Sequence, residues 1–160
     1  STVAFDLNPT NAHRIEGFSE PDLLALPNGD LLCFMRTGGR YEGQHTALMM
    51  SRSNDDGLTW SAPDPVADRG VLPKACYMSN GVLAVIYGRP GDWLAFSLDD
   101  GHSWLGHTCV NLGTQAWDCG NYDWIVEVAP DTLLAAYAET DHNDPRQSAI
   151  LGTWITVRPT

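Results

Sequence analysis

The sequence predicts an all-β fold made of β-propeller blades, and two observations lead to that prediction. The first is a repeated segment, since Ser53 to Trp60 reads SNDDGLTW and Ser97 to Trp104 reads SLDDGHSW. Both copies fit S-x-D-x-G-x-[ST]-W, and about 44 residues separate them, within the 20–50-residue spacing of propeller and solenoid repeats. The second is a series of paired apolar runs joined by turn residues, which is typical of β-hairpins.

Each copy of the repeat has the chemistry of a tight turn between two strands, and we name the two copies the repeat turns. The glycine can adopt a positive φ, and the aspartate and hydroxyl side chains can hydrogen-bond nearby backbone amides. The tryptophan carries a large apolar surface into a neighbouring layer. Turn chemistry therefore accounts for the motif better than metal binding or catalysis does. The structural positions are Ser53, Asp55, Gly57, Trp60, Ser97, Asp99, Gly101 and Trp104.

Three hairpin units follow one another along the chain, and each predicts the first two strands of a blade. Their turns are Asn28-Gly29, Asn80-Gly81 and Pro130-Asp131. The second strand of each unit is a near-continuous apolar run, as expected for a strand covered on both faces. With the segments that follow them, the units predict about three four-stranded blades. The expected blades are 19–68, 70–112 and 120–158, with a spare strand at 1–8 that completes the third.

Length and charge limit what such a chain can do. The 160 residues form a single unit of three blades, whereas closed propellers usually contain four to eight blades. We therefore expect either a homodimer of two half-rings closing a six-bladed ring, or a missing N-terminal half. The net charge is −11 with 9 Lys and Arg, which argues against nucleic-acid or anionic-membrane partners.

The four cysteines do not predict a metal site. Cys33 and Cys76 lie in apolar runs and are interpreted as buried thiols. Cys109 and Cys119 flank a loop, where they either pair or remain free. No C-x-x-C motif and no Cys/His spacing typical of zinc occurs, so we expect neither a metal nor a cofactor.

Four polar residues occupy matching places in the hairpin units and are candidates for a ligand site. Arg36 and Arg89 each end the second strand of a unit, and two guanidinium groups on one cavity suit a carboxylate. Glu20 opens the first strand of the first unit, and Tyr122 takes the corresponding place in the third. A glutamate beside a tyrosine can accept the phenol proton and make the oxygen nucleophilic. The alternative is that each arginine pairs with a neighbouring acid.

The repeat turn resembles the Asp-box, also known as the bacterial neuraminidase repeat. The wider pattern, with SEP at 19–21, NGDLL at 28–32 and Arg36, is similar to the sialidase superfamily of six-bladed propellers. The stretches NGVLA, YGRPG and CGNY resemble a subgroup of sialidase-like proteins. The resemblance covers nearly the whole chain and corresponds to the C-terminal half of such proteins.

This resemblance implies roles for the four candidates. Glu20 takes the place of the glutamate that partners the catalytic tyrosine, and Tyr122 that of the tyrosine nucleophile. Arg36 and Arg89 take the places of two arginines that grip the substrate carboxylate. The aspartate general acid and one further arginine of sialidases are not found, and Arg14 does not restore that arginine. The loop aspartates without a motif are Asp92, Asp118, Asp123 and Asp141.

Three functions follow as hypotheses. The leading one is a sialidase-like glycan-processing propeller acting on a carboxylate-bearing sugar such as sialic acid, incomplete or inactive alone because loss of a general acid removes a factor of roughly 10²–10⁴. The second is a non-catalytic carbohydrate-binding or self-assembling half-propeller. The third is an enzyme acting on uronate sugars, since a shared fold does not fix the reaction.

Overall fold

The computed structural model describes residues 17–37, 47–111, 123–139 and 148–159, and every regular element in these ranges is a β-strand. The first sheet contains β1 (Phe18–Ala25), β2 (Leu31–Thr37), β3 (Leu48–Ser53) and β4 (Asp64–Ala67). The second sheet contains β5 (Val71–Tyr77), β6 (Leu83–Gly88), β7 (Asp92–Ser97) and β8 (Leu105–Asn111). The third sheet contains β9 (Trp124–Ala129), β10 (Thr132–Glu139) and β11 (Ala149–Thr156).

The strands of each sheet are antiparallel and hydrogen-bonded in chain order, as in propeller blades. This confirms the predicted all-β fold. The third sheet has three strands within the described residues. The strand predicted at 1–8 to complete it lies outside the described residues.

The predicted hairpin turns join the first two strands of each sheet. Gly29 and Gly81 adopt φ values of 93° and 86°, which a side chain would resist. The turns at Gly29 and Gly81 are closed by equivalent backbone bonds, for example Gly29 N–H to Leu26 O at 3.0 Å and Gly81 N–H to Met78 O at 3.0 Å. In the third sheet the turn places Asp131 at a φ of 60°.

The sheets pack face to face, and the second sheet lies in the middle. One side packs on the first sheet through a core that includes Leu32, Phe34 and Leu83. The opposite side packs on the third sheet through a core that includes Ile86 and Leu133. All six residues of β6 are therefore buried, which explains why this strand is apolar without alternation.

Both repeat turns form the hydrogen bonds predicted from their side chains. In the second, Ser97 Oγ accepts from Gly101 N–H at 2.8 Å, and Asp99 accepts from the Ser103 amide at 2.8 Å and hydroxyl at 2.6 Å. The first repeat turn has the same bonds at 2.9, 2.8 and 2.6 Å. Hydrogen bonds to the ionised form lower the pKa of Asp99 to about 2, led by the bond from the Ser103 hydroxyl.

The second repeat turn also locks the second sheet onto the first. The Trp104 ring meets Phe34 edge to face, with ring centroids 5.7 Å apart. Gly101 lies against Leu32 and Met50 of the first sheet, and a Cβ there would come within 3.3 and 3.2 Å of them. The turn therefore contributes to packing between sheets as well as to its own strands.

The repeat turns lie at one end of the sheets, and we name the opposite end the site end. At the site end β1, β5 and β9 begin and β2 and β6 finish, as the pairs Phe18 with Thr37 and Val71 with Gly88 show. Predicted candidates from different sheets therefore lie at the same end of the molecule.

Candidate functional site

Glu20 and Arg36 form an ion pair at the site end of the first sheet. Arg36 Nη1 donates to Glu20 Oε1 at 2.7 Å, and their side chains are only 27% and 16% exposed for Glu20 and Arg36 respectively. The second carboxylate oxygen of Glu20 accepts the backbone N–H of Leu72 in the second sheet at 2.8 Å. Glu20 thus fixes the arginine and joins two sheets with the same carboxylate.

Matching irregularities in β1 and β5 make this contact. The register of β1 shifts between Ser19 and Asp22, and that of β5 shifts between Val71 and Lys74. Glu20 and Leu72, inside these two irregularities, have φ values of 51° and 46°. β-Bulges commonly redirect a side chain beside a functional site, and here a carboxylate meets an amide of the neighbouring sheet.

Asp22 forms a second link of the same type, which sequence reasoning missed. Its two carboxylate oxygens accept from Lys74 Nζ and from the Ala75 backbone N–H, each at 2.8 Å. The Lys74 ammonium also lies 5.0 Å from the centre of the Trp124 ring in the third sheet. The available signal was a pair of acids at positions 20 and 22 opening an otherwise apolar strand.

Arg89 lies at the site end of the second sheet, in the turn between β6 and β7. Its φ is 75°, and the bond to Pro90 is cis. Its Nε is buried and has no hydrogen-bond partner in the part of the chain that the structure describes. Its positive charge acts on the Asp123 carboxyl group, which precedes β9. Arg89 and Arg36 therefore share an end of the molecule but lie in neighbouring sheets.

A pair of buried acids lies beside Arg89. Asp92 is 0% exposed and Asp123 is 1% exposed, and each carboxyl group influences the pKa of the other. Asn111 Nδ2 donates to Asp92 Oδ2 at 3.1 Å. Burial, then the hydrogen bond and charge of Asp92, raise the pKa of Asp123 to about 9. The sequence marked both residues only as loop aspartates without a motif.

Of the four predicted candidates, the structure brings Glu20 and Arg36 together and places Arg89 at the same end. Tyr122 lies outside the described residues, as do Asp118, Asp141 and Arg14. The role of Tyr122 stays a prediction, and so does the pairing of Glu20 with it. Within the described ranges, one carboxylate oxygen of Glu20 accepts from Arg36 and the other accepts from the Leu72 amide.

The cysteines and other ligand-type side chains add no metal centre in the described ranges. Cys33, Cys76 and Cys109 are free thiols, so the pairing considered for Cys109 does not form, and Cys119 lies outside the described residues. No group of three His, Cys, Asp or Glu side chains there is close enough to hold a metal ion. Nor do these ranges contain a helix long and apolar enough to cross a membrane.

Several solved structures share this arrangement of sheets. A protein of unknown function from Dyadobacter fermentans is 23% identical, with a TM-score of 0.70 over 89% of this chain and 39% of its own. A Hadza microbial sialidase is 21% identical, with a TM-score of 0.58 over 90% of this chain and 34% of its own. An ulvan lyase, which is a polysaccharide lyase, is 16% identical, with a TM-score of 0.57 over 74% of this chain and 31% of its own.

These likenesses define the class of the protein by fold alone. No protein-family model and no curated protein matches the sequence. The chain spans about a third of the length of the solved structures that it resembles. It is an all-β protein of stacked propeller blades, and sialidases and a polysaccharide lyase are among its structural neighbours.

Proposed function

We propose that this protein binds the carboxylate of an acidic sugar at the site end, as part of a sialidase-like glycan-processing propeller. The observation that carries the proposal is the pair of arginines there. Arg36 is held in place by Glu20 at 2.7 Å, and Arg89 has a buried, unpaired Nε within the described residues. A fixed guanidinium binds a carboxylate with two parallel hydrogen bonds and little further loss of side-chain freedom.

The structural neighbours support an acidic sugar as the ligand class. One is a sialidase, two are intramolecular trans-sialidases, and another is an ulvan lyase bound to a disaccharide that contains glucuronate. Sialic acid and uronates share a sugar carboxylate. We propose sialic acid first, because Tyr122 follows the pattern of the sialidase nucleophile and Glu20 that of its partner.

The experiment is a calorimetric titration with N-acetylneuraminate. It compares the natural chain with the variants Arg36→Ala and Arg52→Ala. Arg36→Ala should weaken binding by about tenfold or more, since a charged hydrogen-bonded contact contributes roughly 1.5–3 kcal/mol. Arg52→Ala is the matched control. Arg52 is also 16% exposed and paired with an acid at 2.7 Å, Asp30, but it lies towards the repeat turns. Equal affinity of both variants would contradict the proposal.

Turnover separates an enzyme from a binding module. We expect a fluorogenic sialoside to be cleaved slowly or not at all, since no general acid is identified. If cleavage occurs, Tyr122→Phe should abolish it while binding of N-acetylneuraminate persists. Cleavage of an oligosaccharide at a 4-linked glucuronate, with loss of the C5 proton and formation of an unsaturated uronate, would instead favour the lyase-type alternative if no sialoside is cleaved.

A second candidate function, self-assembly, is favoured by an exposed apolar face. On the side of the third sheet away from the second, Trp124, Val126 and Trp154 are 59%, 47% and 68% exposed. The pairs Trp124 with Ala136 and Leu134 with Trp154 place these side chains on one face. Contiguous exposed apolar surface of this kind marks interaction sites.

We propose that the first sheet of a second copy covers this face. The outer side of the first sheet presents Leu23, which is 66% exposed, and the partly exposed Met49. Within one copy, the second sheet packs on the first and third sheets through apolar side chains. A contact between the third sheet of one copy and the first sheet of another would be of the same kind. Light scattering should give twice the 17.5 kDa of the chain. Trp154→Glu should give a monomer. Leu58→Glu, which changes a similarly exposed residue in a repeat turn, is the control and should leave the dimer intact. A monomeric natural chain would contradict self-assembly.

A further inference from the structure

The buried acid pair joins two sheets beside a proposed ligand-binding arginine. Asp92 is the first residue of β7 in the second sheet, and Asp123 directly precedes β9 in the third. Both side chains are buried, and their carboxyl groups are close enough across the boundary between the sheets for each to influence the pKa of the other. Asn111 Nδ2 holds the outer oxygen of Asp92 from β8 at 3.1 Å.

This arrangement requires one proton between the two carboxyl groups. Asp92 Oδ1 and both oxygens of Asp123 are buried and have no hydrogen-bond donor in the described ranges. Two adjacent carboxylates without a cation between them repel each other, and each buried acceptor without a donor costs free energy. A single proton converts this contact into an O–H···O⁻ hydrogen bond, so the pair carries one negative charge.

Few other charged groups act on the pair. Arg89, in the turn between β6 and β7, lowers the pKa of Asp123, and this effect opposes the larger effects of burial and of Asp92. Cys109, on β8, is the other titratable group in the described ranges, and the charge of Asp92 contributes to its raised pKa. A pair that holds one proton is therefore a monoanion, and Arg89 is the cation in the described ranges whose charge acts on it.

We propose that Asp92 and Asp123 share one proton and, as a single monoanion, position Arg89 for the ligand carboxylate. The inference rests on the ligand role proposed above for Arg89. Both aspartates act through Arg89 and are positioning residues. Loss of the shared proton doubles the negative charge beside Arg89, so the guanidinium is drawn to the pair and the affinity for a carboxylate falls.

The shared proton is tested without any ligand, by a carboxyl-carbon NMR titration of the aspartates. One carboxyl group of the natural chain should titrate near pH 9. That signal should be lost in Asp123→Asn, whose amide donates permanently to Asp92, and should move to lower pH in Asp92→Asn. Complete ionisation of every aspartate below neutral pH would overturn the inference. Circular dichroism establishes that each variant is folded.

The positioning role is tested by following Arg89 and N-acetylneuraminate binding through the same pH range. In the natural chain the Arg89 Nε–H signal should shift with the titration, and affinity should fall about tenfold, as expected for one added, partly shielded charge. In Asp123→Asn the Arg89 signal and the affinity for N-acetylneuraminate should both stay constant over this pH range. Asp64→Asn, a control at an exposed position, should behave like the natural chain.

Failure of this inference is distinguishable from failure of the proposed function. If the natural chain binds no acidic sugar, the proposed function fails, and the Arg89 signal alone decides whether the pair positions that side chain. If the sugar binds but Asp123→Asn keeps the same loss of affinity with pH, the positioning role is refuted while the proposed function stands.

Discussion

Gly101→Ala should be far more damaging than the same change at the equivalent glycine of the other repeat turn. Gly57 and Gly101 have φ values of 80° and 90°, and each amide donates to the serine hydroxyl that opens its turn. The two sites therefore share the local conformation and differ in their surroundings. Gly57→Ala is the matched control for the strain that a side chain meets at positive φ.

The difference follows from what an added methyl group would touch. At Gly101 it would meet Met50 Sδ at 3.2 Å, Leu32 Cδ1 at 3.3 Å and Leu83 Cδ2 at 3.4 Å, in the core between two sheets. At Gly57 its nearest neighbour is Leu31 Cδ1 at 3.5 Å, an ordinary contact. The positive φ costs about 1–2 kcal/mol at both sites. Crowding adds about 1–3 kcal/mol at Gly101 alone.

Urea unfolding followed by tryptophan fluorescence measures the effect. Gly57→Ala should lower the free energy of unfolding by about 1–2 kcal/mol, and Gly101→Ala by about 2–5 kcal/mol with an unchanged m value. Equal losses at the two sites would refute the reasoning, because the second repeat turn would then contribute nothing to the packing of the first sheet on the second.

Two further predictions concern pH. The pKa of Asp123 is raised to about 9, so the folded chain binds a proton that the unfolded chain releases near pH 4, and stability falls as pH rises between these values. Asp123→Asn should flatten this fall by up to ~1.4 kcal/mol per pH unit, measured as the change of Tm with pH; an unaltered slope would exclude a raised pKa. The pKa of Asp99 is lowered to about 2, so its contribution is present above its ordinary pKa and is lost as pH falls through about 2. Asp99→Asn should lower Tm at neutral pH and reduce its loss in acid, and an unchanged acid profile would contradict the assigned hydrogen bonds.

Local sequence signals were sufficient to predict the sheets. The continuous apolar run of β6 predicted a strand covered on both faces, and all six of its residues are buried. Asn28-Gly29 and Asn80-Gly81 predicted hairpin turns, and both glycines adopt positive φ there. Each of these features depends on a few neighbouring residues, so periodicity and turn chemistry are enough to identify it.

The contacts between sheets could not be predicted in the same way. Asp92 and Asp123 belong to different sheets, and only the packing of those sheets brings their carboxyl groups together. Glu20 was identified by its position, but its bond to the Leu72 amide depends on two register shifts. Pro21 and Pro73 mark these shifts as strand irregularities, but they do not predict that Glu20 meets the neighbouring sheet. The catalytic roles of Glu20 and Tyr122 stay predictions.

The links from β1 to β5 have a consequence for how freely the sequence can change. Glu20 and Asp22 bind backbone N–H groups of residues 72 and 75, and every amino acid except proline supplies such a group. Position 72 has a φ of 46°, which asparagine or glycine would adopt more easily than the leucine present. These two links are therefore independent of the side chains at positions 72 and 75. Evolution or a designer can vary position 72, at the site end, and keep the link to Glu20.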